Sequence, residues 1–255
     1  MPGAGKLVAF FDVDNTLLRG STLYLLGKGM YKRGFFTKKE ISNYLFVNLI
    51  YRYTGVEDKN EINSITKAAC NFIKGHKVEE LEKMGKEIYD EFVSPALWSG
   101  TISLAQEHLA NGVDVWLITA SSQEFASHIS KRLGFTGALG TKAKIENGVY
   151  TGELVGELLH GKAKALAAID LANLQSYNLL ESFAYSDSHH DLPLLQSVGN
   201  PAVINPDATL RVFAGKKNWP IYDFRKARWL KSKIAPITAR LGYLFIFLRP
   251  GKKGN

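Results

Sequence analysis

The chain has one cysteine, Cys70, in 255 residues. No internal disulfide can form, and a lone thiol fits a reducing compartment. Cys70 sits in KAACNFI, whose apolar spacing is helical, and reads as a packed side chain rather than a nucleophile. No run of 18 apolar residues occurs, so a spanning helix is not expected. The opening MPGAGKLVAFFDVD has neither a long apolar core nor a small-residue cleavage site, so a cytoplasmic protein is expected. An excess of one charge is missing too, across most of the chain. The first 220 residues balance 23 basic against 23 acidic side chains, so a nucleic-acid-binding body is not supported. The whole excess of +8 lies in residues 221–255, where nine Lys and Arg face one acid, Asp223. Between Asp14 and Glu40 there is no acid at all.

What is present is an ordinary globular composition, 45% apolar and 22% charged, enough for a sizeable core. KLVAFF, residues 6–11, reads as a buried strand, VDVWLITAS as a second ending at Thr119, SFAYSD as a third and PAVIN as a short fourth. TISLAQEHLANG, residues 123–134 and GKAKALAAIDLANL read as helices, the first closed by Gly112 and the second by Gly134. Residues 143–155 alternate around Asn147-Gly148, a two-residue hairpin signal. Strand and helix alternation predicts an α/β domain with a parallel sheet flanked by helices. Residues 20–95 have no convincing strand. Helical patterns such as KKEISNYLFVNLIYRY and VEELEKMGKEIYDEFV make them an insert after the first strand.

In open parallel sheets, ligands bind beyond the carboxyl ends of the strands. Asp12 and Asp14 end the first strand, Thr119 the second, and Asp187 the third, with Asp191 four residues on. Lys162 opens the helix before the third strand, and Lys164 is the alternative lysine in GKAKA. Four acids brought together repel unless a cation neutralises them, and hard oxygen ligands of this kind suit Mg²⁺. DVDN also resembles the start of a calcium loop. That loop needs an acid or Asn at its fifth position and Gly at its sixth, where this chain has Thr16 and Leu17.

These segments together resemble the haloacid dehalogenase-like phosphohydrolases. DVDNT is similar to the DxDxT motif, LITAS to the second, Lys162 in GKAKAL to the third-motif lysine, and YSDSHHD to the acidic fourth. The resemblance spans residues 7–207 and points to the phosphoserine-phosphatase-like subfamily IB. It implies a Rossmann-like core over 1–19 and 96–220, with an inserted helical C1-type cap over 20–95. It also implies an aspartyl-phosphate mechanism. Asp12 is then the nucleophile, Asp14 the general acid and base, Thr119 a phosphoryl hydrogen-bond donor and Lys162 the charge balance. Mg²⁺ is held by Asp12, Asp187 and the main-chain carbonyl of Asp14, with Asp191 and Ser188 in support. Phosphoserine phosphatases carry a glutamate shortly after the first motif to read the substrate amine, and the matching residue here is Ser21. Arg19 is a candidate reader of an anionic group. His189 and His190 read as loop histidines.

The expected activity is therefore Mg²⁺-dependent hydrolysis of a small phosphomonoester. Transfer to an alcohol acceptor and a non-catalytic membrane-recruited module are the alternatives. The last reading rests on the tail. Leu230, Ile234, Ile237, Leu241, Leu244 and Leu248 form one helical stripe beside Trp229 and clustered Lys and Arg. Such a helix over 224–249 suits peripheral contact with an anionic membrane, although packing on the protein's own core or on another copy would use the same stripe.

Overall fold

The computed structural model describes residues 5–35 and 69–225. The helix expected over 38–53 and the apolar stripe of residues 230–248 lie outside the described residues. A central sheet has the strand order β3-β2-β1-β6-β7-β8, with every pairing parallel. Its strands are β1 (Val8–Phe11), β2 (Asp114–Ser122), β3 (Gly137–Thr141), β6 (Phe183–Ser186), β7 (Asn200–Ile204) and β8 (Ile221–Tyr222). The intervening β4 (Ala143–Glu146) and β5 (Val149–Leu154) form a separate antiparallel hairpin. The helices, numbered here in chain order, are α1 (Thr22–Lys32), α2 (Val78–Ile88), α3 (Ser99–Ala110), α4 (Gln123–Leu133), α5 (Lys162–Gln175), α6 (Leu192–Leu195) and α7 (Ala208–Lys216).

All four residues of β1 are buried, because the strand is central and covered on both faces. Side-chain alternation divides the core in two. Ala9 and Phe11 join Ala105 of α3 and Phe125, Ala126 and Ile129 of α4, while Val8 and Phe10 join Ala165 and Ala168 of α5, Leu194 and Leu195 of α6 and Leu210 of α7. Full burial of each phenylalanine is worth about 1.5–3 kcal/mol. Helices on both faces of a parallel sheet leave the strand ends at one edge as the open surface.

Two strands escape the sequence reading. GALGT of β3 is short and glycine-rich, and Gly137 is required because a Cβ there would lie 2.6 Å from the Trp116 ring. Ile221–Tyr222 were assigned to the basic tail but pair with Val203 and Ile204, so the sheet runs past residue 220. The hairpin does form at Asn147-Gly148, both with positive φ (50° and 76°), which suits the twist of a two-residue turn.

The described parts of the insert are helical. α2 continues into a π-helical turn, Tyr89–Val93. The chain leaves the sheet region and returns at neighbouring points, with Arg19 N donating to Ala96 O (2.9 Å) and Trp98 N to Leu17 O (2.9 Å). The hairpin also grips the insert. Gly75 N donates to Tyr150 O, Tyr150 N to His76 O and Val78 N to Gly148 O, at 2.9–3.0 Å. Cys70 is buried, as a packed side chain should be. Among the described residues no helix is long and apolar enough to cross a membrane.

Candidate active site

Where β1 ends, Asp12 N still donates to Tyr185 O of β6 (2.9 Å), so the nucleophile candidate is held by the sheet ladder itself. Its carboxylate is buried, 4% exposed. Oδ1 accepts from Lys164 Nζ at 2.6 Å, and Oδ2 accepts from Thr16 Oγ1 at 2.9 Å. Lys164 Nζ also donates to Asp191 Oδ2 at 2.7 Å, and Ser186 Oγ donates to that same oxygen at 2.7 Å. Asp191 Oδ1 is buried with no hydrogen-bond partner among the described residues.

Of the two lysines, the fold brings Lys164 and not Lys162 to Asp12 and Asp191. Lys162 is the first residue of α5, as expected, but it is exposed. Successive helical residues turn by about 100°, so positions two apart point to nearly opposite sides. Lys164 shares the buried stripe with Ala165, Ala168, Leu171 and Ala172. A lysine within the apolar stripe of the helix is the sequence signal that marks Lys164.

Asp14 faces elsewhere. Its Oδ1 accepts from Thr22 N (2.9 Å) and Thr22 Oγ1 (2.8 Å), and the Ser21 hydroxyl bonds it too. Ser121 hydrogen-bonds Thr22 Oγ1, which links the end of β2 to the start of α1. Asp187 sits across from Asp12, with Thr16 Oγ1 3.4 Å from its Oδ1. Thr119 is buried and its Oγ1 accepts from Ser121 N at 3.2 Å. The strand does not stop there but runs through a register shift to Ser122. Ser188 caps the short turn His189–Asp191, accepting from His190 N at 3.3 Å. His189 is part-buried and held by Asp207, through its main-chain N (2.8 Å) and ring Nδ1 (3.0 Å).

The electrostatics follow from burial. Loss of water pushes Asp12 up to about 6; Lys164 opposes the rise, while Asp191 and Asp14 add to it. Burial also raises Asp14, against its hydrogen bonds from Thr22 and Ser21. Asp187 stands well above the ordinary carboxylate range, through burial and then the charges of Asp12 and Asp191. Burial works against the charge of Lys164, but Asp12 and Asp191 outweigh it and hold its ammonium well above the usual lysine range. Four carboxyls and one ammonium leave a deficit of positive charge.

A divalent cation fits that deficit, the orphaned Asp191 oxygen and the raised proton affinity of buried Asp187. Among the described residues no three His, Cys, Asp or Glu side chains form a metal-binding group by themselves. The Asp14 Oδ1 is engaged by Thr22, and its main-chain carbonyl is a further oxygen for such an ion. Two carboxylates with main-chain and water oxygens suit Mg²⁺, which keeps several waters.

Thr16, Thr22, Ser121 and Ser186 were not among the expected site residues. Thr16 is visible in the spacing DVDNT. The other three are placed only by the fold.

Paired aspartates, a buried lysine and a hydroxyl donor at the carboxyl edge of a parallel sheet define a phosphoryl-transfer type of site on an α/β fold. The model of the haloacid dehalogenase-like hydrolases matches residues 9–196, and the chain belongs to that family. It is 46% identical over 220 residues to phosphoserine phosphatase SerB1 of Mycobacterium tuberculosis, covering 86% of this chain and 71% of the relative. It is 30% identical over 233 residues to a histidinol-phosphatase of Neisseria meningitidis, covering 86% and 100%. A solved phosphoserine phosphatase, a phospho-aspartyl intermediate analogue, superimposes with TM-score 0.60 at 18% identity over 87% of this chain and 97% of that one, a likeness of fold. The protein is a phosphatase of this family, similar to the phosphoserine phosphatases.

Proposed function

We propose that the protein hydrolyses a small phosphomonoester through an aspartyl-phosphate on Asp12. The chain Asp12–Lys164–Asp191, buried at the ends of β1 and β6 with Asp14 two residues on, is the observation that carries this reading. Asp12 attacks phosphorus and the ester oxygen leaves. Asp14 gives that oxygen its proton and then takes one from the water that cleaves the acyl phosphate. The raised affinity of Asp14 for its proton suits the first of these steps. Lys164 neutralises the nucleophile beforehand and the equatorial phosphoryl oxygens in the transition state. Thr119 Oγ1 accepts from Ser121 N, which leaves its own proton for a phosphoryl oxygen. Mg²⁺ would be held by Asp12, Asp187 and the Asp14 carbonyl, and supplies charge neutralisation between two anions. The phospho-aspartyl state named for the solved relative supports the same covalent step.

The amine-reading glutamate is replaced by Ser21, whose hydroxyl bonds Asp14 instead. The named relatives, a phosphoserine phosphatase and a histidinol-phosphatase, carry the names of different phosphomonoesters, so the substrate is assigned only as a small phosphorylated metabolite. Phosphate release from a panel of phosphorylated amino acids, amino alcohols and sugars, with Mg²⁺ and with EDTA, tests the reading. Asp12→Asn is expected to lower turnover by about 10³-fold or more; retained activity would remove Asp12 as the nucleophile.

A further inference from the structure

A cavity of about 370 Å³ opens beside Asp187, between the loop after β1 and the chain that follows β7 and β8. Asn15, Arg19, Trp98, Asn205, Asp207 and Arg225 complete its lining with Gly20. Most of its polar groups are already engaged. Asn205 donates to Asn15 O (3.1 Å) and accepts from Phe224 N (2.8 Å). Asp207 caps α7 through Leu210 N (2.7 Å) and holds His189. Arg225 is paired with Asp223 and donates to Pro206 O. Asp187 is turned toward Thr16 and the catalytic edge.

Arg19 differs. Its Nη2 donates to Pro95 O at 3.1 Å, and its guanidinium lies 5.6 Å from the centre of the Trp98 ring. Among the described residues no carboxylate pairs with it. The carbonyl and the indole fix the planar group and leave further N–H donors unspent. A pre-positioned guanidinium in a small-molecule-sized cavity matches oxyanions, which it can bind with two parallel hydrogen bonds.

We infer that this cavity is a second oxyanion subsite, in which Arg19 binds a carboxylate or phosphate group next to the phosphoryl-transfer site. The anion is either a second acidic group of the phosphomonoester or a free anion. The first source rests on the proposed phosphatase reaction; binding itself does not.

Calorimetric titration with malonate, which has no phosphoryl group, reads the subsite without turnover. Wild type and Asp12→Asn should bind it alike. Arg19→Gln should weaken binding about ten-fold, the worth of one charge-assisted hydrogen bond, with Arg19→Lys between. Kinetics then separates the sources. A KM increase in Arg19→Gln about ten-fold greater for phosphoserine than for phosphoethanolamine assigns the subsite to the substrate's own carboxylate. Arg19-dependent malonate binding with equal KM effects on both assigns it to a free anion. Malonate that fails to bind wild type, binds Arg19→Gln equally well, or is lost in Asp12→Asn overturns the subsite. Arg19-dependent malonate binding in a wild type that turns over no phosphomonoester leaves the subsite standing and defeats the phosphatase reading.

Discussion

Two sets of ion pairs in the molecule are held differently. At the strand ends, Lys164, Asp12 and Asp191 have side chains no more than 6% exposed. On the helical insert and where it meets α4, Lys32–Glu91, Arg33–Glu87 and Asp90–Arg132 join side chains that are 23–65% exposed. Water screens the second set, so each pair contributes little to stability. The first set has lost its water, so each charge depends on its neighbours and removing one leaves the others uncompensated. Buried charge of this kind is poor as a stabilising device and good as a site, because it stays poised for a ligand of complementary charge.

The largest expected effect breaks the buried set. Lys164→Ala should destabilise the protein by about 3–5 kcal/mol, from the two acids left unpaired, and lower turnover by about 10²–10³-fold. Lys162→Ala, on the surface of the same helix, should change turnover less than about two-fold. Denaturant unfolding and phosphate release measure both; equal effects would return the role to Lys162.

A smaller effect concerns pH and metal. Asp12 has a folded-state value of about 6 against an ordinary 3.8, and Asp14 and Asp187 are displaced in the same direction. A raised carboxyl contributes stability that is fully present below its unfolded value and is lost as pH rises through its folded one. The EDTA-treated wild type should therefore lose stability relative to Asp12→Asn between pH 3.8 and about 6. Saturating Mg²⁺ should offset that loss. Calorimetric Tm values across the range test the sign, and a difference that stays flat would contradict the burial of these charges.

The smallest effect belongs to the insert. Asp90→Asn removes a pair whose side chains are about half exposed, Arg132 47% and Asp90 55%. It should cost less than about 1 kcal/mol in thermal unfolding and leave turnover as it was. A larger cost would mean that the insert and the sheet are coupled through that pair.

Much of this contrast was legible in the sequence. The alternation of apolar runs and helical patterns pointed to the parallel sheet, and strand-end acids pointed to its functional edge. Asn147-Gly148 marked the hairpin, because that pair readily takes the positive φ its turn requires. The short strands β3 and β8 were not legible. Strands of five and two residues carry too little periodicity, and GALGT is defined by its close approach to Trp116 rather than by its own pattern. The helix pairing of the insert is similar, since Gly29 allows α1 within reach of Ile88, where a Cβ would come to 2.5 Å.

By itself the sequence determined which residue types meet: two aspartates just past a central strand, a threonine, a lysine and a second acidic pair, in an order set by the alternation of strands and helices. Local periodicity is enough for that, because strand and helix geometry repeat over a few residues. Only the tertiary structure decided which of two lysines enters the site, that Ser121 ties the end of β2 to the Thr22 that holds Asp14, and that Ser186 and Asp191 steady Lys164. The longest-range of these choices depend on residues 99 and 152 positions apart, brought to one edge by the parallel crossovers. Their energies come from burial that no short stretch of chain can report.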